Sequence, residues 1–304
     1  MGEYRAGGTD VQQRLRSGVS RGPAVDIQRD PHTSGIAWDG AGAARIGALT
    51  SIAAVASDAA LGRAYPGLTS AAGGLATPQI RAAATIGGNL LQRNRCWYFR
   101  QPAIRCLKKG GDACPARRGN HLYGVCFDLG PCIAAHPSTL GMTLLAYEAS
   151  VEVAGSGVRP IAALFGDGSD ARHDHQLTER ELLTAVIMPP PLRHERAAYF
   201  RAISRAAAEW PLVEALVRLE ISEGVIRFAR VAVGGVAPVP LRRERVEAAL
   251  VNRPAGIEVL DAAAALAADG AAPLPMTGYK VAMLVAVVRQ ALERVVSRRP
   301  HDGG

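Results

Sequence analysis

All five cysteines of this 304-residue chain, Cys96, Cys106, Cys114, Cys126 and Cys132, fall in the stretch from Ala84 to His136. That confinement constrains the fold more than any other feature. Between Cys96 and Cys132 there is little apolar periodicity and there are few aliphatic side chains, so the segment reads as a loop. Loops of such length inside a compact domain are functional or disordered, and Trp97, Tyr98 and Phe99 argue against disorder. Without a hydrophobic core of its own the loop needs another fastening, and thiolate–metal bonds supply one. The gaps between successive cysteines are 9, 7, 11 and 5 residues. No C-x-x-C pair occurs, which removes the usual zinc-ribbon and thioredoxin patterns. An odd cysteine count, with no signal architecture in MGEYRAGGTD, argues against a disulfide framework. Widely spaced cysteines on a wrapping loop suit a four-iron cluster, whose thiolates converge from different directions. Structural zinc and inert thiols are the alternatives. Arg93, Arg95, Arg100, Arg105, Lys108, Lys109, Arg117 and Arg118 stand around the cysteines against Asp112. They either compensate a negatively charged cluster and raise its potential or form a solvated face.

Two glycine turns flank this loop on its N-terminal side. Glu3-Tyr4-Arg5 ends a strand, Ala6-Gly7-Gly8-Thr9-Asp10 turns, and Val11 to Arg16 reads as a short helix ended by Gly18. Strand, glycine turn and helix start make a natural phosphate site, because the backbone can approach closely and free N–H groups point at the anion. A plain turn capped by Thr9 or Asp10 is the simpler reading. Ala84-Thr85-Ile86-Gly87-Gly88-Asn89-Leu90 is a second such turn.

The remaining pattern is mixed. Short strands are expected at Ala24 to Ile27, in a hairpin of Ile36 to Trp38 with Ala44 to Ala48, at Ser150 to Ala154 and at Leu182 to Ile187. Helices are expected over Thr50 to Ala60, over Leu68 to Leu75 and up to Tyr147. Pro189-Pro190-Pro191 is the best domain boundary, since proline neither continues a helix nor donates to a sheet. Beyond it come a strand at Ala198 to Ile203 and an antiparallel pair, Val213 to Ile221 and Val225 to Val233. Helices follow at Leu241 to Leu250, Ile257 to Ala268 and Tyr279 to Ser297. The last carries Val281, Leu284, Val285, Val288, Leu292 and Val295 as one stripe. The tail from Arg298 to Gly304 is expected to fray. Together these predict an α+β chain.

The net charge of +8 raises nucleic acid as a partner. The surplus is arginine without interleaved aromatics, and the common RNA and DNA motifs are absent, so no nucleic-acid partner is expected. No run of 18 apolar residues lacks a charge, so no membrane span is expected, and the protein reads as cytoplasmic.

The segments AGGTD, IGALTSIA, TPQIRAAATIGGNLLQ, RVAVGGVAPVP and YKVAMLVAVVRQAL, in that order, resemble the FAD-binding medium subunit of the molybdenum hydroxylases. The loop RNRCWYFRQPAIRCLKKGGDAC followed by GPCIAAHPS resembles that of the bacterial aldehyde oxidoreductase branch, which carries an extra [4Fe–4S] cluster. The resemblance implies an FAD-binding domain of two α/β subdomains (PCMH-type) over residues 1–191, with an inserted iron–sulfur loop at about 93–135. A smaller C-terminal domain, residues 192–304, would hold an antiparallel sheet and a helical bundle. It further implies FAD contacts from Arg5, Ala6, Gly7, Gly8, Thr9, Asp10 and Val11 in a first loop and Thr85, Gly87, Gly88 and Asn89 in a second. Ser138 and Arg201 would add to them. Cys96, Cys106, Cys114 and Cys132 match the cluster ligands, leaving Cys126 as a spare buried thiol. No catalytic acid, base or nucleophile is implied.

On this reading the chain is an electron-transfer flavoprotein subunit of a heterotrimer. A large partner would hold the molybdenum cofactor and a small one [2Fe–2S] clusters, with electrons leaving from FAD to an external acceptor. The branch includes periplasmic complexes exported on a partner's signal, which is the alternative location. Four departures from the family pattern stand out. The chain starts almost at the first FAD loop, so a partner subunit is expected to stand in for a covering element. Thr139 stands where an aspartate usually follows the serine, which puts one polar contact to the cofactor in doubt. Trp210-Pro211 is expected to disturb the strand that follows, and Arg201 stands where lysine is usual. The competing class is a zinc-stabilised, non-redox binding module with ordinary glycine turns.

Overall fold

The structure, a computed structural model, describes residues 3–27, 31–206 and 208–297. Strand β1 (Glu3–Arg5), helix α1 (Val11–Arg16) and strand β2 (Ala24–Asp26) form a small unit whose two strands pair in parallel. Parallel strands need a crossover, and the first glycine loop with α1 supplies it.

The next unit begins with the hairpin β3 (Ile36–Trp38) and β4 (Ala44–Gly47). Helices α2 (Ile52–Ser57), α3 (Ala59–Ala64), α4 (Pro66–Gly73), α5 (Pro78–Ala83) and α6 (Ile86–Leu90) follow. The single helix expected over Thr50 to Ala60 is broken at Asp58, whose carboxylate accepts from Leu61 N at 2.8 Å and caps α3. The second glycine turn is the first turn of α6, capped by Thr85, whose Oγ1 accepts from Gly88 N. After α7 (Trp97–Arg100) and the rest of the cysteine loop come α8 (Thr139–Ala146), β5 (Ser150–Val153), β6 (Gly157–Pro160), α9 (Ile161–Phe165) and β7 (Leu183–Ile187). The five strands form one antiparallel sheet in the order β3-β4-β7-β5-β6. Its core includes Ile46, Leu68, Ile86, Leu140, Leu144 and Val186, all buried.

The C-terminal part holds β8 (Glu195–Ala202), β9 (Val213–Ser222), β10 (Val225–Gly234) and β11 (Leu241–Arg242), an antiparallel sheet in the order β11-β10-β9-β8. Trp210-Pro211 lies in the connection before β9, which is an unbroken ten-residue strand, so the expected disturbance is absent. Helices α10 (Glu244–Leu250), α11 (Ile257–Ala265) and α12 (Tyr279–Ser297) cover the sheet, around a core that includes Val217, Val231, Leu284 and Leu292. Val281 and Val285 are only partly buried, and Val287 and Ala291 are buried beside the expected stripe. The tail from Arg298 lies outside the described residues. Among the described residues no helix is long and apolar enough to cross a membrane.

The cysteine loop bridges both parts. Ala116, Val125 and Ile133 give it a small core of its own, against the expectation that it would have none. Cys126 and Phe127 enter the C-terminal core instead, and their N–H groups donate to Val236 O at 2.9 and 3.0 Å.

Candidate functional site

The first loop, residues 6–11, faces the start of α6 across a cavity of about 110 Å³. Ala6, Gly7, Gly8, Thr9, Asp10 and Val11 line one side and Thr85, Gly87 and Gly88 the other. Among the described residues, no acceptor takes up the N–H groups of Ala6, Gly7, Gly8 or Thr9, so a row of backbone donors is left for a ligand. The two glycines of this loop do different work. A Cβ on Gly7 would stand 1.7 Å from Ala83 O, so Gly7 lets the two loops touch. Gly8 has φ +72°, and a Cβ there would meet nothing nearer than 3.9 Å. The second loop is closed on itself: Gly87 N donates to Ala48 O at 2.9 Å and Gly88 N to Thr85 Oγ1 at 3.1 Å. Its contribution to the cavity is therefore close packing rather than free donors. Sequence reasoning missed Gln92 and Leu183, which also line the cavity and carry no local motif.

Other expected contacts sit elsewhere. Arg5 is not among the lining residues and pairs with Asp26 at 3.0 Å. Ser138 caps α8, accepting from Gly141 N, and donates to Asn89 Oδ1 at 2.8 Å. Ser138 and Asn89 thus hold α6 against α8 from behind the cavity. Arg201 lies on β8 opposite Glu214 of β9. Asp10 turns inward, where its carboxylate accepts from Arg14 (2.9 Å), Arg100 (2.7 Å) and Arg93 N (3.1 Å), with Arg95 at 3.0 Å. It ties the first loop to the residues on either side of Cys96. Burial works to raise its pKa, but Arg95, Arg100 and Arg14 hold it below the usual carboxylate range.

A second, larger cleft of about 900 Å³ opens between the cysteine loop and the loop after β8. Gln92 Nε2, on the first cavity, donates to Pro137 O at 3.4 Å, and Pro137 lines the cleft, so the two spaces adjoin. Arg95 stacks on Trp210 at 4.3 Å on its wall. Buried polar groups on the lining include His136, Glu214 and Lys280. Burial pushes Lys280 down to about 8, and its Nζ donates to Gly235 O at 2.7 Å. Burial likewise pushes His136 down to about 4, so the ring is neutral, and its Nε2 faces Asp174 O at 3.2 Å. Thr139 Oγ1 donates to Glu214 Oε2 at 2.8 Å.

The five cysteines are free thiols. Cys96 responds to the charge of Cys114 and Cys106, and Cys132 to that of Cys114, whereas Cys126 faces Lys280 and Arg243. Four cysteines thus share one neighbourhood and the fifth does not. Burial raises the pKa of Cys96 and carries Cys132 up to about 11. Among the described residues, no group of three or more Cys, His, Asp or Glu is gathered to hold a single metal ion. Most cations of the loop are engaged. Asp174 takes Arg93 at 2.6 Å and Lys108 at 2.9 Å, and Asp128 takes Arg117 at 2.6 Å. Lys109 and Arg105 bind backbone carbonyls. Arg95 Nε and Arg100 Nη1 are buried without a partner.

Comparison with known proteins gives a consistent result. Residues 3–191 match the family profile described as the FAD binding domain in molybdopterin dehydrogenase, and residues 198–296 match the CO dehydrogenase flavoprotein C-terminal domain. The chain is 30% identical over 263 residues to the aldehyde oxidoreductase FAD-binding subunit PaoB of Escherichia coli K12, covering 82% of this chain and 79% of that protein. It is 27% identical to the xanthine dehydrogenase FAD-binding subunit of Escherichia coli O157:H7, covering 84% and 74%. Among solved structures it superimposes on a carbon monoxide dehydrogenase from Hydrogenophaga pseudoflava with a TM-score of 0.76 at 24% identity, over 97% of this chain and 90% of that one. Quinoline 2-oxidoreductase from Pseudomonas putida 86 gives 0.73 at 19%, over 97% and 89%. At these identities the structural likeness concerns the fold.

Proposed function

The chain belongs to the family of FAD-binding subunits of molybdenum hydroxylases, and from that premise we propose that it holds FAD on its glycine loops as the electron-transfer flavoprotein subunit of an aldehyde oxidoreductase-type complex. The observation that carries this reading is the row of unclaimed N–H groups from Ala6 to Thr9, opposite the tightly packed start of α6. Such a row fits a pyrophosphate. The open space at Gly8 leaves room for it, and the adjoining cleft has the volume of a ring-binding site. Bound FAD supplies the redox chemistry through its isoalloxazine ring. The chain's own residues bind and orient it: Gly7 and Ala83 fix the spacing of the two loops, and Asp10 anchors the first loop on three arginines.

The proposal extends to a [4Fe–4S] cluster on Cys96, Cys106, Cys114 and Cys132. Their shared electrostatic neighbourhood supports it, as do the orphaned guanidinium nitrogens of Arg95 and Arg100, since such a cluster carries negative charge. Cluster thiolates bind separate irons and need not meet at one point. Cys126 is left out as a core thiol. We place the boundary between the FAD-binding and C-terminal domains at residues 191–192. A large molybdenum-cofactor subunit and a small [2Fe–2S] subunit complete the proposed assembly, which passes electrons to an external acceptor. The test is a cofactor inventory of the purified chain, alone and with its co-purified partners. FAD released on denaturation, with iron and acid-labile sulfide, is the expected outcome; a colourless protein without flavin overturns the proposal.

A further inference from the structure

Glu214 is a buried carboxylate that the fold does not neutralise. It sits on β9, 2% exposed, and lines the large cleft. Other buried carboxylates are paired: Glu195 with Arg218 at 2.7 Å, Asp174 with Arg93 and Lys108, and Glu247 with Arg242. Among the described residues no lysine or arginine stands at ion-pair distance from Glu214. What holds it is two hydroxyls, Thr139 Oγ1 at 2.8 Å and Tyr199 OH at 2.7 Å, both donating to Oε2. No donor reaches Oε1 among the described residues, although an ionised carboxylate has acceptor capacity on both oxygens. Oε1 lies over Gly234, where a Cβ would stand 2.6 Å away, and the next residue, Gly235, lines the same cleft. The strand pair therefore keeps a space for this carboxyl, one oxygen of which takes no donor from the described residues.

We propose that Glu214 is the proton-exchanging group of the flavin cleft, taking a proton from solvent as electrons enter the bound flavin and returning it as they leave. This rests on the reading that FAD occupies the cleft. Only an O–H bond forms and breaks: carboxylate plus a solvent proton gives the carboxylic acid, and the electrons are those already moving through the flavin. Burial pushes Glu214 up to about 7, although Tyr199, Thr139 and Arg201 all pull it down, so both forms are accessible near neutral pH. From β8 it is faced by Tyr199 and Arg201, from α8 by Thr139, and from β10 by Gly234, which has no charge. The charged or ionisable groups elsewhere on the cleft lining include Arg95, Arg100, His136, Arg205, Glu209 and Lys280. They remain in place in a Glu214 variant, so the difference from the wild type isolates this one group.

The test is the flavin midpoint potential of the purified complex, titrated across neutral pH in the wild type, Glu214→Gln and Tyr199→Phe. The wild type should show a bend in potential against pH near neutrality, and Glu214→Gln should lose it. Tyr199→Phe removes one donor to the ionised form and should move the bend to higher pH. A merely structural role would shift the curve without removing the bend, and a bend unchanged in Glu214→Gln overturns the proposal. Should Glu214→Gln lose its flavin, Tyr199→Phe decides, and an unmoved bend there overturns it. A complex without flavin would sink the cofactor reading itself, which a flavin-bearing complex lacking the bend would not.

Discussion

Asp174 should be the fastening point of the cysteine loop, and its removal should show this in a defined order. It lies between α9 and β7, far in sequence from the cysteines, yet its side chain is 4% exposed and that of Lys108 5%. Oδ2 accepts from Arg93 Nε at 2.6 Å and Oδ1 is 2.9 Å from Lys108 Nζ; Asn94 N and Nδ2 each add a contact at 3.3 Å. Asn94 Oδ1 in turn accepts from Cys96 N at 2.9 Å. In Asp174→Asn, an amide would present donors to donors and leave the buried Lys108 and the half-buried Arg93 without their counter-charge. Breaking a buried pair in this way costs about 3–5 kcal/mol, a fall in melting temperature on the order of 5–10 °C for a chain of this size. Hydrogen exchange should accelerate over the amides of residues 93–111 while those of β9 stay protected. Asp174→Asn should in turn be rescued in part by Lys108→Met, because the second change removes one of the two cations left without a counter-charge. The sign of the pH effect follows from the depressed pKa of Asp174, which Lys108 and Arg93 hold low against the effect of burial. Its stabilisation is full above the unfolded carboxylate range and is lost as pH falls below it, so Asp174→Asn should show a flatter acid limb. Unchanged melting and uniform exchange in Asp174→Asn would refute the reasoning.

Three further outcomes are expected. Cys106→Ser and Cys114→Ser should each lose iron and sulfide, whereas Cys126→Ser should keep both and lose only core packing; metal analysis of the three variants checks this, and equal iron in all of them contradicts the ligand assignment. Gly7→Ala should destabilise the chain by about 1–3 kcal/mol, because its Cβ would strike Ala83 O and force the loops apart; a denaturant melt reads the loss. Trp210→Ala should strip the stacking partner from Arg95 and expose that side of the cleft, raising the rate at which a small quencher reaches the flavin without altering flavin content.

Several parts of this architecture were legible because their signals are local. Helix α12 declares itself by its stripe, and the β9–β10 hairpin by Ser222-Glu223-Gly224 between apolar runs. The first glycine loop and the cysteine segment carry their own composition. Other features could not be read because they arise from distant residues meeting. Asp174 stands in a segment with no pattern, and its importance comes from Arg93 and Lys108 folding onto it. Glu214 looks like one polar residue of VEALVRLE, yet residues 213–219 are all buried, since both faces of β9 are covered, so alternation cannot tell inside from outside. Glu214 and Arg218, four apart in an apolar strand, were the available hint. The basic residues around the cysteines were read as one pool of charge. The structure divides them into those spent on Asp10, Asp174 and Asp128 and the nitrogens of Arg95 and Arg100 that are left over. GVRP of β6 has no apolar alternation, and IAALF of α9 is too short an apolar run to tell helix from strand.

The most direct measurement of the central claim is the flavin content of Gly8→Val beside the wild type, with folding followed by circular dichroism. Gly8 has φ +72° and a Cβ there would meet open space in the fold. The variant should therefore fold with a modest strain of about 1–2 kcal/mol while its side chain occupies the position in front of the free N–H groups. Close to one FAD per wild-type chain and almost none in a folded Gly8→Val is the predicted result; a folded variant that retains its full flavin complement would contradict the assignment of the first loop as the pyrophosphate site.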